Sequence, residues 1–198
     1  MRSRVTVTEQ GGLRELALCA GIGGISLGLR PLGVRTVCYV ERDAFAVSVL
    51  RARMRAGDLD AGPVWDDLCT FDGRPWRGCV DLVSAGFPCQ PASHAGHREG
   101  TEDERWLWPE VLRVIREVGP RYVLLENVPG LATLDGGRVL GTILGELAEW
   151  VADQGRGGFV EYHRLAASAV GAPHLRDRVW ILADAGVAHA DRKGSSLR

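Results

Sequence analysis

Lysine is almost absent from this 198-residue sequence, which has Lys193 beside 23 arginines. The net charge is −1, so no overall basic character is available, and any binding of nucleic acid must use a local patch. The five cysteines (19, 38, 69, 79 and 89) form no C-x-x-C pair. This pattern argues against a disulfide framework and a zinc site, and it favours a reducing compartment.

Long apolar runs are also absent. No stretch contains 18 consecutive apolar residues, so no transmembrane helix is expected, and the N-terminus lacks the apolar core of a signal peptide. His94 and His97 have no third metal ligand near them in the sequence. We therefore expect a cytoplasmic protein with no metal and no membrane partner, long enough to bury the core of one domain.

Short apolar runs alternate along the chain with segments of helical periodicity, which predicts an α/β fold. The predicted strands are 16–19, 34–40, 63–68, 80–84, 121–125, 159–165 and 179–183, and the predicted helices are 25–29, 44–55, 106–118 and 136–150. No linker divides the chain. The domain prediction is a single catalytic domain, 1–183, followed by a polar tail, 184–198.

A glycine-rich turn, residues 20–24, follows the first predicted strand and precedes a helix. Strand, glycine turn and helix is the layout of a nucleotide-binding unit. Glu41 ends the second strand about 20 residues later, where such units place an acceptor for ribose hydroxyls. The alternatives are an ordinary tight turn and a carboxylate that favours a helix start. Asp67, at the end of the third predicted strand, could accept a hydrogen bond from an adenine amino group, or it could be an ordinary turn residue.

Reactive side chains follow later strands at the edge where chemistry collects in α/β sheets. Cys89 lies between Pro88 and Pro91 just beyond the fourth strand, although a free cysteine is as often a small buried hydrophobe. Glu126 and Asn127 end the fifth strand.

Arg176 and Arg178 enter the last strand two residues apart, so we expect them to point the same way. They could hold an anion or a base edge, or be a solvated strand start.

Together these motifs resemble the C5-cytosine methyltransferase family, from about residue 15 to residue 183. Six motifs in family order carry the resemblance: Ala20-Gly21-Ile22-Gly23-Gly24, Glu41, Asp67-Leu68, Pro88-Cys89-Gln90, Glu126-Asn127-Val128 and His174-Leu175-Arg176-Asp177-Arg178. The resemblance implies a Rossmann-like methyltransferase fold, with a mostly parallel seven-stranded sheet and helices on both faces. It also implies S-adenosylmethionine as methyl donor, without metal, and DNA as the partner that is methylated.

The resemblance assigns roles to residues. Cofactor contacts are expected from Cys19, Ala20, Gly21, Ile22, Gly23, Gly24, Glu41, Arg42, Asp67, Leu68, Gly86 and Pro88, and substrate contacts from Phe87, Gln90, Ser93 and Asn127. Cys89 would add to C6 of a flipped cytosine, which makes C5 nucleophilic. Glu126 would share a proton with N3, and Arg178, with Arg176 behind it, would hold O2. The polar segment 93–104 would close over the base.

Departures from the family pattern leave alternatives open. Cys19 stands where the family usually has an aromatic residue, and His174 stands where glutamine is usual. No target-recognition domain or final helix follows residue 183, so we expect a second chain to supply recognition, as in a phage or restriction–modification system. The alternatives are a tRNA cytosine-5 methyltransferase and a partner-dependent cofactor-binding subunit with little activity alone.

Overall fold

Seven strands form one sheet in the computed structural model, which describes residues 12–88 and 106–186. The strands are β1 (Arg14–Leu18), β2 (Arg35–Val40), β3 (Val64–Trp65), β4 (Leu82–Ala85), β5 (Tyr122–Asn127), β6 (Phe159–Ala166) and β7 (Asp177–Asp184). The helices are α1 (Gly24–Leu29), α2 (Ala44–Ala56), α3 (Trp108–Val118) and α4 (Arg138–Asp153). The strand order is β3-β2-β1-β4-β5-β7-β6.

The sheet is mostly parallel, as predicted. Strands β1 to β5 run parallel to one another, whereas β7 is antiparallel to both β5 and β6. The carboxyl ends of β1, β2, β4 and β5 therefore meet at one edge. Because β7 runs the other way, its first residues reach that same edge, which brings the arginine motif to the predicted site.

Alternate residues of the central strands face two hydrophobic clusters, as the period of a strand requires. Leu16 and Leu18 of β1 belong to the larger cluster, while Ala17 between them belongs to the smaller one. Helices α3 and α4 bury their apolar stripes in the larger cluster, and Leu50 of α2 packs in the smaller one. Helices therefore cover both faces of the sheet, as the α/β prediction requires.

Several element boundaries differ from the predicted ones. Strand β1 ends one residue early because Cys19 has a left-handed φ of 47°. The third strand is only two residues long, since Asp67 caps a 3-10 turn, Leu68–Thr70, through the Cys69 amide. Helix α4 begins at Arg138, because Gly136 and Gly137 both have positive φ. Within residues 12–88 and 106–186, no helix is long and apolar enough to cross a membrane.

Candidate active site

The glycine turn after β1 folds back on itself and leaves an open surface. Gly23 has φ 83°, which strains any residue with a Cβ, and a Cβ added there would lie 2.5 Å from Leu59 Cδ1, so a larger residue would force a shift. Gly21, with φ 56°, has no atom within 4 Å of an added Cβ. The tight packing lies on the protein side of the turn, and the open space lies on the cavity side.

Glu41 is held by two backbone amides. Its Oε2 accepts from the Gly21 amide at 2.7 Å, and its Oε1 accepts from the Asp43 amide at 2.8 Å. A carboxylate has about four acceptor positions, so each oxygen keeps capacity for one more donor. The carboxylate is thus fixed in place at the end of β2 and can still accept from a diol.

A cavity of about 250 Å³ lies at the carboxyl ends of β1, β2 and β4. Its lining contains most of the predicted cofactor contacts, namely Cys19, Gly21, Glu41, Arg42, Asp67, Leu68, Gly86 and Pro88, and adds Val40 and Leu107. Apolar walls, one fixed carboxylate and open space beside Gly21 fit a nucleoside such as that of S-adenosylmethionine. Val40 and Leu107 were not predicted as contacts, because the sequence assigns Val40 to a buried strand and Leu107 to the apolar face of the predicted helix 106–118.

Cys19 is a wall of this cavity and not a nucleophile. Burial, and to a lesser extent the nearby Glu41 carboxylate, raise the pKa of its thiol to about 12. The thiol therefore stays protonated at neutral pH, whereas nucleophilic attack requires the thiolate.

A second cavity, of about 650 Å³, adjoins the first and shares Cys19, Gly21 and Gly86 with it. Its lining adds Ala20, Ile22, Gly24, Ile25, Glu126, Leu165, Ala166, Ala167, Val170, Arg176, Arg178 and Trp180. Trp180 was not predicted, although its position two residues after Arg178 in a strand places it on the same face. Gly86 lines both spaces, and a Cβ added to it would lie 3.5 Å from Glu126 Oε2.

Glu126 and Arg178 form an ion pair in the second cavity. Arg178 Nε lies 2.7 Å from Glu126 Oε1, and each side chain is 22% exposed. Glu126 is the second-last residue of β5 and Arg178 is the second residue of β7, so the antiparallel pairing of these strands brings the two side chains to the same edge. A carboxylate and a guanidinium together can accept from and donate to the polar edge of a flat heterocycle.

Arg176 lies outside the strand whose alternation was used to predict its direction. It precedes β7 and has a left-handed φ of 28°, so the alternation of a strand does not extend to it. Arg176 and Arg178 nevertheless line the same cavity. Asp177 between them is paired with Arg164 of β6 at 2.5 Å, which ties this turn to the edge strand.

Phe87 and Asn127 lie inside the protein, a placement that does not support the substrate contacts predicted for them. Phe87 is 3% exposed and packs against Trp106 and Trp108. Asn127 is 4% exposed, and its Nδ2 donates to the Phe87 carbonyl at 3.0 Å. Its Oδ1 accepts from the Val128 amide. Asn127 therefore braces the loop that leads toward residue 89.

Three predicted site residues, Cys89, Gln90 and Ser93, lie outside the described residues, as do the segment 93–104 and the tail from 187. Pro88, the last described residue before them, lines the first cavity. Among the residues the structure describes, no group of three His, Cys, Asp or Glu side chains could hold a metal ion.

The profile of a family described as C-5 cytosine-specific DNA methylase matches residues 13–188. Among curated proteins, Type II methyltransferase M.PspPI of Psychrobacter is 43% identical over 128 residues, which are 64% of this chain and 30% of that protein. M.AquIA of Picosynechococcus is 34% identical over 175 residues, covering 84% of this chain and 70% of that protein. The chain thus spans about a third of the length of the first of these relatives.

Solved structures agree in fold. A protein described as a prophage-encoded DNA modification methyltransferase from E. coli superposes with a TM-score of 0.69 at 23% identity, covering 87% of this chain and 47% of that one. A DNMT2 variant from Spodoptera frugiperda gives the same TM-score at 21% identity, covering 87% and 50%. At these identities the superpositions show the fold alone.

Proposed function

Since this chain belongs to the C-5 cytosine-specific DNA methylase family, we propose that it transfers a methyl group from S-adenosylmethionine to C5 of a cytosine in DNA. The observation that carries the proposal is the pair of adjoining cavities with a common wall at Cys19, Gly21 and Gly86. One cavity has the lining of a nucleoside site, and the other contains a carboxylate paired with a guanidinium. Two sites in contact are what direct transfer between two bound molecules requires.

In the first cavity, Glu41 would accept from the ribose hydroxyls, and Asp67 and Leu68 would contact the adenine. Gly21 leaves room for the nucleoside against the backbone. When bound, S-adenosylmethionine supplies a methyl group on a positively charged sulfur. The chain provides walls and acceptors here, and Arg42, Gly86 and Pro88 complete the proposed contacts in this cavity. The rest of the turn 20–24 is proposed to contact the donor from the side of the second cavity, which Ala20, Ile22 and Gly24 line.

In the second cavity, Glu126 and Arg178 would exchange their mutual contact for contacts with cytosine. Arg178 would donate to O2, and Glu126 would share a proton with N3, which offsets the ring charge that develops when a nucleophile adds. Arg176 lines the same cavity and would support Arg178. Because cytosine would offer each group a new hydrogen-bonding partner, the exchange would leave neither charge unpaired.

Cys89 is the proposed nucleophile. Its thiolate would form a bond to C6, C5 would take the methyl group as the sulfur–methyl bond breaks, and loss of the C5 proton to a base would then release Cys89. Asn127 supports this role, since it fixes the Phe87 carbonyl two residues before Cys89. C6 is inaccessible in a stacked duplex, so the base must be flipped out. Gln90 and Ser93 are proposed to contact it.

The decisive experiment is to trap the covalent intermediate. Incubation with S-adenosylmethionine and DNA containing 5-fluorocytosine should give a stable protein–DNA adduct, because fluorine at C5 cannot leave as a proton does. The wild type should form the adduct, and Cys89→Ala should not, as judged by a denaturing gel and mass spectrometry.

Cys79→Ala is the matched control, since Cys79 is an exposed thiol that lines neither cavity, and it should trap DNA like the wild type. An adduct that persists in Cys89→Ala would exclude Cys89 as the nucleophile.

Two alternatives are separated by substrate. A tRNA cytosine-5 methyltransferase would label tRNA and not DNA when both are offered with labelled cofactor. The curated relatives are named as Type II methyltransferases, which favours DNA and a restriction–modification or phage setting in the cytoplasm of a bacterial cell.

A second chain that supplies sequence recognition is also part of the proposal. Apolar side chains rim the second cavity and stay exposed among the described residues: Ile22, Leu165 and Val170 are 45%, 47% and 79% exposed. A recognition chain that covers this rim would bury them. Little transfer by the isolated chain, restored when such a chain is added, would support this arrangement over a self-sufficient enzyme.

A further inference from the structure

One arginine of α3 binds the loop that carries two of the cofactor-cavity residues. Arg113 Nη2 donates to the Leu68 carbonyl, and its Nη1 donates to the Phe71 carbonyl, both at 2.9 Å. These contacts span 42 to 45 positions of sequence. The planar guanidinium thus joins both ends of the turn Leu68–Phe71 to a buried helix.

The charge of Arg113 is balanced on its own helix. Glu110 lies 2.7 Å and Glu117 lies 3.0 Å from the guanidinium. Glu117 Oε2 also accepts from the Gly73 amide at 2.8 Å, so it holds the far end of the same loop. Burial opposes the charge, but the bonds to Glu110 and Glu117 outweigh it and raise the pKa of Arg113.

The loop has little regular structure of its own. Strand β3 before it pairs through two residues, and the turn Leu68–Thr70 is a single 3-10 turn capped locally by Asp67. Phe71 packs between Trp65 and Trp76, with ring centroids 6.1 and 6.2 Å away. The aromatic packing buries the loop, while the directional contacts that set the position of Leu68 come from Arg113.

We propose that Arg113 is a positioning residue for the methyl donor: it sets the distance of Asp67 and Leu68 from the rest of the cofactor cavity and thereby controls affinity for the donor, without touching it. The inference rests on the proposed function, because it takes this cavity as the nucleoside site. Arg113 does not line either cavity, so its effect passes through the loop.

Two variants test the proposal. Arg113→Met removes all four donor contacts, and Arg113→Lys keeps the charge between Glu110 and Glu117 but cannot reach both carbonyls with one ammonium group. Binding of S-adenosylhomocysteine, measured by calorimetry, should weaken about tenfold in Arg113→Met and about threefold to fivefold in Arg113→Lys, because two hydrogen bonds hold the loop. In steady-state methylation, the KM for S-adenosylmethionine should rise by similar factors while kcat at saturation stays within about twofold.

Arg116→Met is the matched control, since Arg116 lies on the same helix with its side chain exposed, and it should bind S-adenosylhomocysteine like the wild type. A purely structural role would lower the melting temperature while the folded fraction kept wild-type affinity, and unchanged affinity in folded Arg113→Lys would overturn the proposal. If the wild type itself binds no S-adenosylhomocysteine, the proposed function fails instead, so the two failures are distinct.

Discussion

The ion pair of Glu126 and Arg178 keeps two charged side chains compensated and still available to a ligand. Each side chain must be available to a ligand, yet neither can remain half-buried without a partner. In the structure each satisfies the other at 2.7 Å. The pair therefore keeps both groups at the proposed base site with their charges compensated until a pyrimidine replaces the contact.

Replacing Glu126 by glutamine tests its role in proton transfer. Glutamine keeps the size and an oxygen acceptor but has no acidic proton to share with N3, so we expect kcat to fall about 100-fold or more. Affinity for S-adenosylhomocysteine should not change, because Glu126 lines only the second cavity. Transfer of labelled methyl groups to DNA measures kcat.

Glu149→Gln, an exposed acid on α4, is the matching surface change and should leave kcat as it is. A Glu126→Gln enzyme that keeps more than a tenth of the wild-type kcat would remove the carboxyl group from the chemistry.

Sequence reasoning at the residue scale succeeded where a side chain follows directly from a strand end. Glu41, Glu126 and Gly21 were placed by that rule, and the structure brings each to a cavity. It failed for side chains whose partners are distant in sequence, because such contacts leave no local pattern. Asn127 braces a carbonyl 40 positions away. One feature could have drawn attention to Arg113: it is a charged residue between the apolar Leu112 and Val114, which are both buried.

At the scale of elements, β1 and β4 are joined beyond their backbone ladder by a side-chain pair. Asp81, just before β4, accepts hydrogen bonds from Arg14 of β1. One comes from the Arg14 backbone amide and one from its guanidinium Nε, each at 2.9 Å. The hydrogen bond from the Arg14 side chain is the main reason why the pKa of Asp81 lies below its usual value. A depressed carboxyl pKa stabilises the fold above the unfolded pKa and ceases to do so as pH falls through the folded pKa.

Asp81→Asn should therefore be less stable than the wild type at pH 7, by about 1 kcal/mol, since the pair is partly exposed and screened. The difference should shrink as the pH falls below about 4, where the wild-type carboxyl group also loses its charge. Urea unfolding at several pH values measures this.

Asp72→Asn removes a carboxylate that is also paired with an arginine, but with Arg74 two residues away at the surface, and its unfolding midpoint should not move. A deficit in Asp81→Asn that is the same at pH 3 and pH 7 would show that the ion pair is not its cause.

The sequence predicted most closely those elements whose hydrophobic pattern is most regular. The bounds of β5 and α3 were predicted within one or two residues. Burial in the sheet gives β5 a continuous apolar run, and burial of one face gives α3 an apolar stripe of helical period. The boundary near Arg138 was missed because Gly136 and Gly137 resemble a helix start in sequence, yet both take positive φ. The antiparallel direction of β7 could not be predicted, because it depends on how the chain connects the strands and leaves no pattern in the residues of β7.

At the scale of the whole molecule, the two cavities draw on different parts of the chain. The first cavity, which is the proposed nucleoside site, is lined by residues between 19 and 107. The second cavity is lined also by residues between 126 and 180. A ligand that binds only the folded protein stabilises it by mass action. S-adenosylhomocysteine at 100 times its Kd should add about 2.7 kcal/mol. For a chain of this size that corresponds to a rise in Tm of about 5–10 °C.

A thermal melt with and without S-adenosylhomocysteine measures the shift. Glu41→Ala should lose at least half of it, because Glu41 is the proposed ribose acceptor. Glu161→Ala, an exposed acid of β6, should keep it. An equal shift in both variants would place the ligand elsewhere.

The place of β7 between β5 and β6 has a consequence for synthesis on the ribosome. A nascent chain that has emerged as far as β6 already contains Glu126 and every residue that lines the nucleoside cavity, but Arg178 has not yet been translated. The proposed pyrimidine site is completed only when β7 inserts between β5 and β6, which are made earlier. Under the proposed function, partly made chains therefore carry no complete site with which to modify the genome of the cell that makes them.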